Sequence, residues 1–322
     1  HENKPVLIVT PLGVSKQTVR EGEKFGIPCA RSLDGRITGP ITVTNYDRLH
    51  HFNPADWIGV VADESSILKH FGGTTQKFIT RFLAKIPYRL LCTATPSPND
   101  YHELGTSSEA LGYLEKSEML SRFFSQQDTK AYRMNEIKLL RAARTGRHYA
   151  RLAYRIAQQI GQWQLKAHAE VPFWRWVCSW ARACRKPSDL GFDDARFVLP
   201  PLIERHHVVE PRDPPDEMLF TVPAFGLNEE RNERRRTLEE RTALVARLVH
   251  HADPAVIWCH LNIEGDALVK AIPGCVQIKG SDDLDKKEEA LDAFSRGQIR
   301  VLATKPTIAG HGLNWQHCAH VV

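Results

Sequence analysis

The sequence contains no pair of cysteines at C-x-x-C spacing. Its seven cysteines are scattered and odd in number, which excludes a disulfide framework and a zinc ribbon and fits a reducing cytoplasm. No run approaches the roughly 18–20 apolar residues that a membrane span needs, and no charged-then-apolar leader opens the chain, so the expectation is a soluble, unexported protein with no membrane partner. Short repeats and low-complexity tracts are also absent. Histidine is frequent, yet the doublets His50-His51, His206-His207 and His250-His251 have no cysteine or carboxylate at ligand spacing, and surface histidine is the preferred reading. What is present is ordinary globular composition: 322 residues, 42% hydrophobic and 25% charged, long enough for two domains.

Charge is unevenly placed. The net +5 is mild, but between Arg122 and Lys186 there are fourteen Lys and Arg against three acids. Such segregation is the electrostatic footprint of a face that binds a polyanion. Within it, Arg141, Arg144, Arg151 and Arg155 recur every three to four residues, with His148 between them, and so share one helical face suited to phosphate contacts. The Thr145-Gly146 pair weakens the case for one unbroken helix. Trp163, Trp174, Trp176 and Trp180 follow; they could stack bases, but aromatics at helical spacing are better read as core.

Along the chain, β-branched runs alternate with helical patterns. "VLIV", "ITVT", "IGVVA" and "YRLLCTA" read as strands, with a helix "TTQKFITRFLAKI" between the last two. The signal from Ser121 to about Pro187 is helical, and the Pro-rich "LPPLIERHHVVEPRDPPDEMLF" reads as an extended crossing. The alternation then returns with helix "ERTALVARLVHH", strand "AVIWCH", helix "EGDALVKAI", strand "CVQIK", helix "KKEEALDAFSRG" and strand "RVLAT". The expected fold is α/β, two lobes of parallel sheet flanked by helices, with a basic helical insertion between them. The expected boundaries are 1–120, 121–190, 191–228 and 229–322.

Two carboxylates, Asp63 and Glu64, end the apolar run "WIGVVADESS". Ligands of parallel sheets collect at the carboxyl ends of strands, so this pair lies where a nucleotide's metal would sit. A lone pair of this kind is more often two solvated carboxylates in a turn. A second strand end, however, offers Thr93, Ala94 and Thr95 in "TATPSPN".

Together "DESS" and "TAT" resemble motifs II and III of superfamily 2 helicases and translocases, DEAD/DEAH-type proteins built from two RecA-like lobes. "VLIVTPLGV", with Thr10 and Pro11, is similar to motif Ia, and "ITVTNYDRL", with Asn45 and Tyr46, to motif Ib. "AVIWCHLN" is similar to motif IV. "RVLATKPTIAGHGLN", with Thr304, Gly310, Gly312 and Asn314, is similar to motif V. "DESSILK", "TATPSPND" and "AGHGLNWQ" most resemble the Swi/Snf-like branch carried by phages. The stretch from Trp163 to Phe192 is also similar to one found between the lobes of those proteins.

The resemblance implies an ATP-dependent motor that tracks along duplex DNA through its backbone phosphates, with ATP and Mg²⁺ as cofactors. Asp63 would hold Mg²⁺ through water, Glu64 would orient the attacking water, and Thr93, Ala94 and Thr95 would couple the nucleotide site to DNA. Gly310, Gly312 and Asn314 would face the nucleotide and the other lobe. Thr10, Pro11, Asn45, Tyr46 and Thr304 would contact nucleic acid. The compartment implied is the cytoplasm, that of the host if phage-encoded, and no protein partner is singled out.

No Gly-Lys-Thr or Gly-Lys-Ser occurs anywhere in the sequence, so the phosphate loop is missing. In the family that loop precedes motif Ia and an arginine finger follows motif V. The chain therefore reads as an internal fragment with both lobes truncated, expected to hydrolyse ATP negligibly by itself. Two further readings remain: a DNA-binding scaffold without hydrolysis, and another P-loop enzyme such as a small-molecule kinase. The second βα lobe with its "GHGLN" argues against the kinase.

Overall fold

The computed structural model describes residues 4–69, 73–97, 99–126, 163–209 and 226–322. Arg141, Arg144, Arg151 and Arg155 lie outside them. In chain order the strands are β1 (Val6–Thr10), β2 (Ala30–Arg31), β3 (Ile41–Asn45), β4 (Gly59–Ala62), β5 (Tyr88–Leu91), β6 (Phe124–Gln126), β7 (Trp163–Leu165), β8 (Ala255–Trp258), β9 (Cys275–Gln277), β10 (Val301–Thr304) and β11 (His320–Val321). The fold class is α/β, with parallel sheets flanked by helices, as the pattern predicts. The chain divides into two compact units, one formed by His1–Glu64 with Ile203–Val322 and the other by Ser65–Leu202.

In the first unit, β1 to β4 follow the order β2-β3-β1-β4 and pair in parallel. Val6 stands opposite both Ile41 and Gly59. Leu7, Val9, Val43, Val60 and Ala62 are buried, as the continuous apolar runs of a two-sided sheet require. Helix Val14–Lys24 makes the crossover after β1.

The other sheet of this unit has the order β11-β8-β10-β9, again parallel. Its residues alternate between two cores, as the two-residue period of a strand dictates. Ala255, Ile257, Val301 and Ala303 pack with Leu268 and Ile272. Val256 and Leu302 pack with Leu291 and Phe294 of helix Leu284–Ser295. A fully buried side chain such as Phe294 stabilises the unit by about 1.5–3 kcal/mol.

Three local differences from the sequence reading have physical reasons. The helix ahead of β8 starts earlier, at Leu227, breaks at Thr237 and ends at Leu248, so His250 and His251 fall outside it. At the break, the Thr237 hydroxyl donates to the Glu233 carbonyl at 2.8 Å and accepts from Arg241 Nε at 3.2 Å. Helix Asn262–Ala271 opens two residues before the expected start, because the Glu264 carboxylate turns back to accept the His260 and Leu261 amides, both at 2.8 Å. In the second unit the stretch read as helical is interrupted. β6 and β7 pair antiparallel, Phe124 opposite Leu165 and Gln126 opposite Trp163.

The second unit's core gathers Leu104, Met119, Leu120, Phe123, Phe124, Phe173 and Val177. Trp163, Trp174, Trp176 and Trp180 pack against it, which is the core role their spacing favours. Phe173, Val177 and the last three tryptophans share helix Glu170–Trp180. Residues 198–209 form no regular element, and Leu199, Leu202 and Val208 there are more than four-fifths exposed. Among the described residues no helix is long and apolar enough to cross a membrane.

Candidate functional site

β4 ends at Ala62 and delivers Asp63 and Glu64 at its carboxyl end, where the apolar run predicts them. The Asp63 amide extends the parallel ladder by one step, donating to the Val9 carbonyl at 2.8 Å, and the Tyr46 hydroxyl donates to the Asp63 carbonyl at 2.7 Å. The backbone of the acid is thus fixed from two neighbouring strand ends. Burial pushes the Asp63 carboxyl above the usual carboxylate range, opposed in part by the Glu64 amide. Among the described residues no lysine or arginine offsets its charge. A half-buried carboxylate with no internal cation suits a hard divalent ion, which favours oxygen ligands, so Asp63 fits the expected Mg²⁺.

Glu64 has φ of 48°, the one positive value at a non-glycine residue among those described. The left-handed turn is costly for a residue with a Cβ, and such conformations recur where a side chain must be aimed. Here the turn brings the carboxylate beside Gly312. A Cβ placed on Gly312 would stand 2.9 Å from Val14 Cγ2, 3.5 Å from Glu64 Cγ and 4.0 Å from Glu64 Oε1. Gly312 itself has φ of 70°, so both space and backbone favour glycine there.

Gln17, on helix Val14–Lys24, spans the same loop. Its Nε2 donates to the Gly312 carbonyl at 3.4 Å and its Oε1 accepts the Asn314 amide at 2.9 Å. Leu313 meets the chain at Gly13, where a Cβ would stand 3.0 Å from Leu313 Cδ2. Gly310 ends the short helix Pro306–Ala309, and a Cβ there would collide with the Pro306 carbonyl oxygen. Glu64 and Gly312, read from separate motifs, are therefore adjacent inside the first unit, with Asn314 tied to the same loop by Gln17. Gln17 was not singled out in the sequence, because a glutamine on the polar side of a helix carries no local signal.

The residues expected at nucleic acid are placed differently. Thr10 is fully buried, and its hydroxyl is shared between the Pro11 carbonyl at 3.1 Å and the Thr44 carbonyl at 3.3 Å, tying β1 to β3. Asn45 is also fully buried. Its Nδ2 donates to Glu288 Oε1 at 2.9 Å, and its Oδ1 accepts the Arg48 amide at 3.1 Å, capping the short helical turn Tyr46–His51. Thr304 ends β10, buried, with its hydroxyl lacking a hydrogen-bond partner. In the second unit, Thr93 follows β5 and its Oγ1 accepts the Thr95 amide at 3.0 Å, while Ala94 and Thr95 are exposed.

One face of helix Leu284–Ser295 presents Asp285, Glu288 and Asp292, spaced three and four apart, to a row of basic side chains. Arg48 meets Asp285 at 2.6 Å, Arg31 pairs with Glu288, and Arg20 and Lys16 pair with Asp292. All of these contacts lie within the first unit.

The chain is similar to two helicase structures. A hypothetical ATP-dependent RNA helicase from Sulfolobus tokodaii aligns with 97% of this chain and 68% of its own, at 13% identity and a TM-score of 0.26. The Hef helicase domain of Pyrococcus furiosus aligns with 95% of this chain and 83% of its own, at 10% identity and a TM-score of 0.23. At that level of similarity neither assigns a function. No family model matches the sequence, and neither does any curated protein.

Proposed function

We propose that these residues form part of an ATP-dependent DNA motor of the superfamily 2 helicase and translocase type, of the Swi/Snf-like, phage-borne branch. It would couple ATP hydrolysis to movement along duplex DNA in the cytoplasm. The observation that carries this reading is the meeting of Glu64 with Gly312. The acid pair of one sheet and the glycine loop of the other were read as parts of one nucleotide site, and they are adjacent. On this reading residues 1–120 and 229–322 are the two lobes, joined by the basic insertion 121–190 and the crossing 191–228.

The roles are those that the resemblance implies. Asp63 holds Mg²⁺ through its water shell, and the bound ion neutralises phosphate charge. Glu64, aimed by its left-handed backbone, accepts a hydrogen bond from the attacking water and orients it. Gly312 keeps the space beside that carboxylate clear, while Gln17 holds the loop. Thr93 and Thr95 couple the site to nucleic acid. Arg141, Arg144, Arg151 and Arg155 grip backbone phosphates, which carry no sequence information, so binding is non-specific and salt-dependent.

The decisive experiment is ATP hydrolysis by the full-length natural protein, with and without duplex DNA, beside Glu64→Gln. Turnover should rise with DNA and fall by about 10²–10⁴-fold in the variant, whose melting temperature should stay near that of the parent. Absence of turnover in a protein with an intact phosphate loop would overturn the motor and favour the DNA-binding scaffold.

A further inference from the structure

His251, Asp253 and His320 come together at the opposite end of the second sheet from Thr304. The surface reading of the doublet fails at His251, which is largely covered: it and Asp253, two residues on, lie in the turn before β8, and His320 opens β11, in register with Ala255 of β8. The three ligand atoms lie within 4.8 Å of one another, the one such cluster among the described residues. Asp253 Oδ2 is 3.6 Å from His320 Nε2 and 4.0 Å from His251 Nδ1, and the two imidazole centroids are 4.3 Å apart.

We propose that these three side chains bind a divalent transition-metal ion, with zinc as the best chemical match. Imidazole nitrogen and carboxylate oxygen suit borderline ions of this class. Bonds of about 2.0–2.2 Å to zinc place neighbouring ligand atoms roughly 3.3–3.6 Å apart around a tetrahedron. The 3.6 Å spacing from Asp253 to His320 already matches, the 4.0 Å spacing to His251 is close, the remaining pair, within 4.8 Å, closes by side-chain rotation, and water completes the coordination.

A second, independent observation points the same way. Both ring nitrogens of His251 are buried, and neither has a hydrogen-bond partner. Buried polar atoms are normally satisfied, and a metal bond to one nitrogen meets that need where the 4.0 Å separation from Asp253 does not.

The backbone that carries the ligands is held on every side. Arg300 Nη1 donates to the His251 carbonyl at 2.8 Å and to the Val249 carbonyl at 3.1 Å, directing its charge at carbonyls rather than at Asp253. The Trp258 amide donates to the Val322 carbonyl and the Val322 amide to the Val256 carbonyl, zipping the short edge strand onto β8. The Cys318 thiol lies 3.4 Å from the Pro254 carbonyl and 3.3 Å from the His320 carbonyl, clasping both ligand-bearing segments. The ion would thus staple an edge strand of two residues to the sheet, away from the strand ends proposed for nucleotide chemistry. The inference does not depend on the motor.

The test is titration of the metal-free full-length protein with Co²⁺ alone, followed by its visible ligand-field absorption. A band that saturates at one equivalent and is displaced by Zn²⁺ is expected. It should vanish in Asp253→Asn and in His320→Gln, both at exposed positions, and persist in His317→Gln. Zn²⁺ should raise the melting temperature of the parent and leave those of the first two variants unchanged, while their circular dichroism stays native. Absence of a saturable band, or a band that survives both substitutions, would overturn the site.

Discussion

Asp63 binds its proton more tightly in the folded protein than an ordinary aspartate does, because burial disfavours the carboxylate. The stability it contributes is therefore complete below the ordinary aspartate value near 3.8 and is lost as pH rises through the raised value. Asp63→Asn should raise Tm at neutral pH by about 1–2 °C, a modest figure because the group is partly solvated. The gain should disappear near pH 4 in a series of thermal melts; a gain of the same size at every pH would contradict the assignment. At this scale the sequence was legible where chemistry and position coincided. Asp63 and Glu64 stood out only beside Thr93 and Thr95 at the next strand end, as a resemblance to helicase motifs II and III, and Gly312 through the resemblance of its loop to motif V. Gln17, Glu288 and the pairing of His251 with His320 were not legible, since each depends on a partner far along the chain.

Helix Leu284–Ser295 shows the same division at the scale of elements. The helix itself was readable from its pattern, whereas nothing in the sequence says what its acidic side meets. In the fold that face meets Lys16, Arg20, Arg31 and Arg48. Exposure decides which pairs matter. Glu288 is 3% exposed and Asp285 is 73% exposed. Glu288→Ala leaves Arg31 and Asn45 without their partner in a buried setting and should lower unfolding stability by about 3 kcal/mol. Asp285→Ala should cost under about 1 kcal/mol. Urea denaturation of the two variants separates these outcomes, and equal losses would mean that the buried pair is not formed. Strands β1, β3, β4, β5, β8, β9 and β10 were all anticipated from apolar runs. β2 and β11 were not, because two residues cannot display a period and their pairing comes from the neighbouring backbone.

Over the whole molecule the seven thiols report the fold. Cys178 and Cys184 are exposed, while Cys259 and Cys275 are buried in the core of the second sheet. Burial pushes the Cys259 thiol up to about 12 and that of Cys275 to about 11. The thiolate is the reactive form, so maleimide at pH 8 should label Cys178 and Cys184 first and leave the buried pair until denaturant is added. Mass spectrometry of the labelled peptides reads this directly, and early labelling of Cys259 would contradict the core described.

The first unit is also discontinuous, built from His1–Glu64 and Ile203–Val322. This has a consequence for the order of synthesis. At about 5–20 residues per second, Arg31, Asn45 and Arg48 emerge roughly 10–50 s before the carboxylates that will cover them. For that interval the nascent chain carries a bare basic edge, and the closing of this unit is timed by the ribosome rather than by the search of the chain for its contacts.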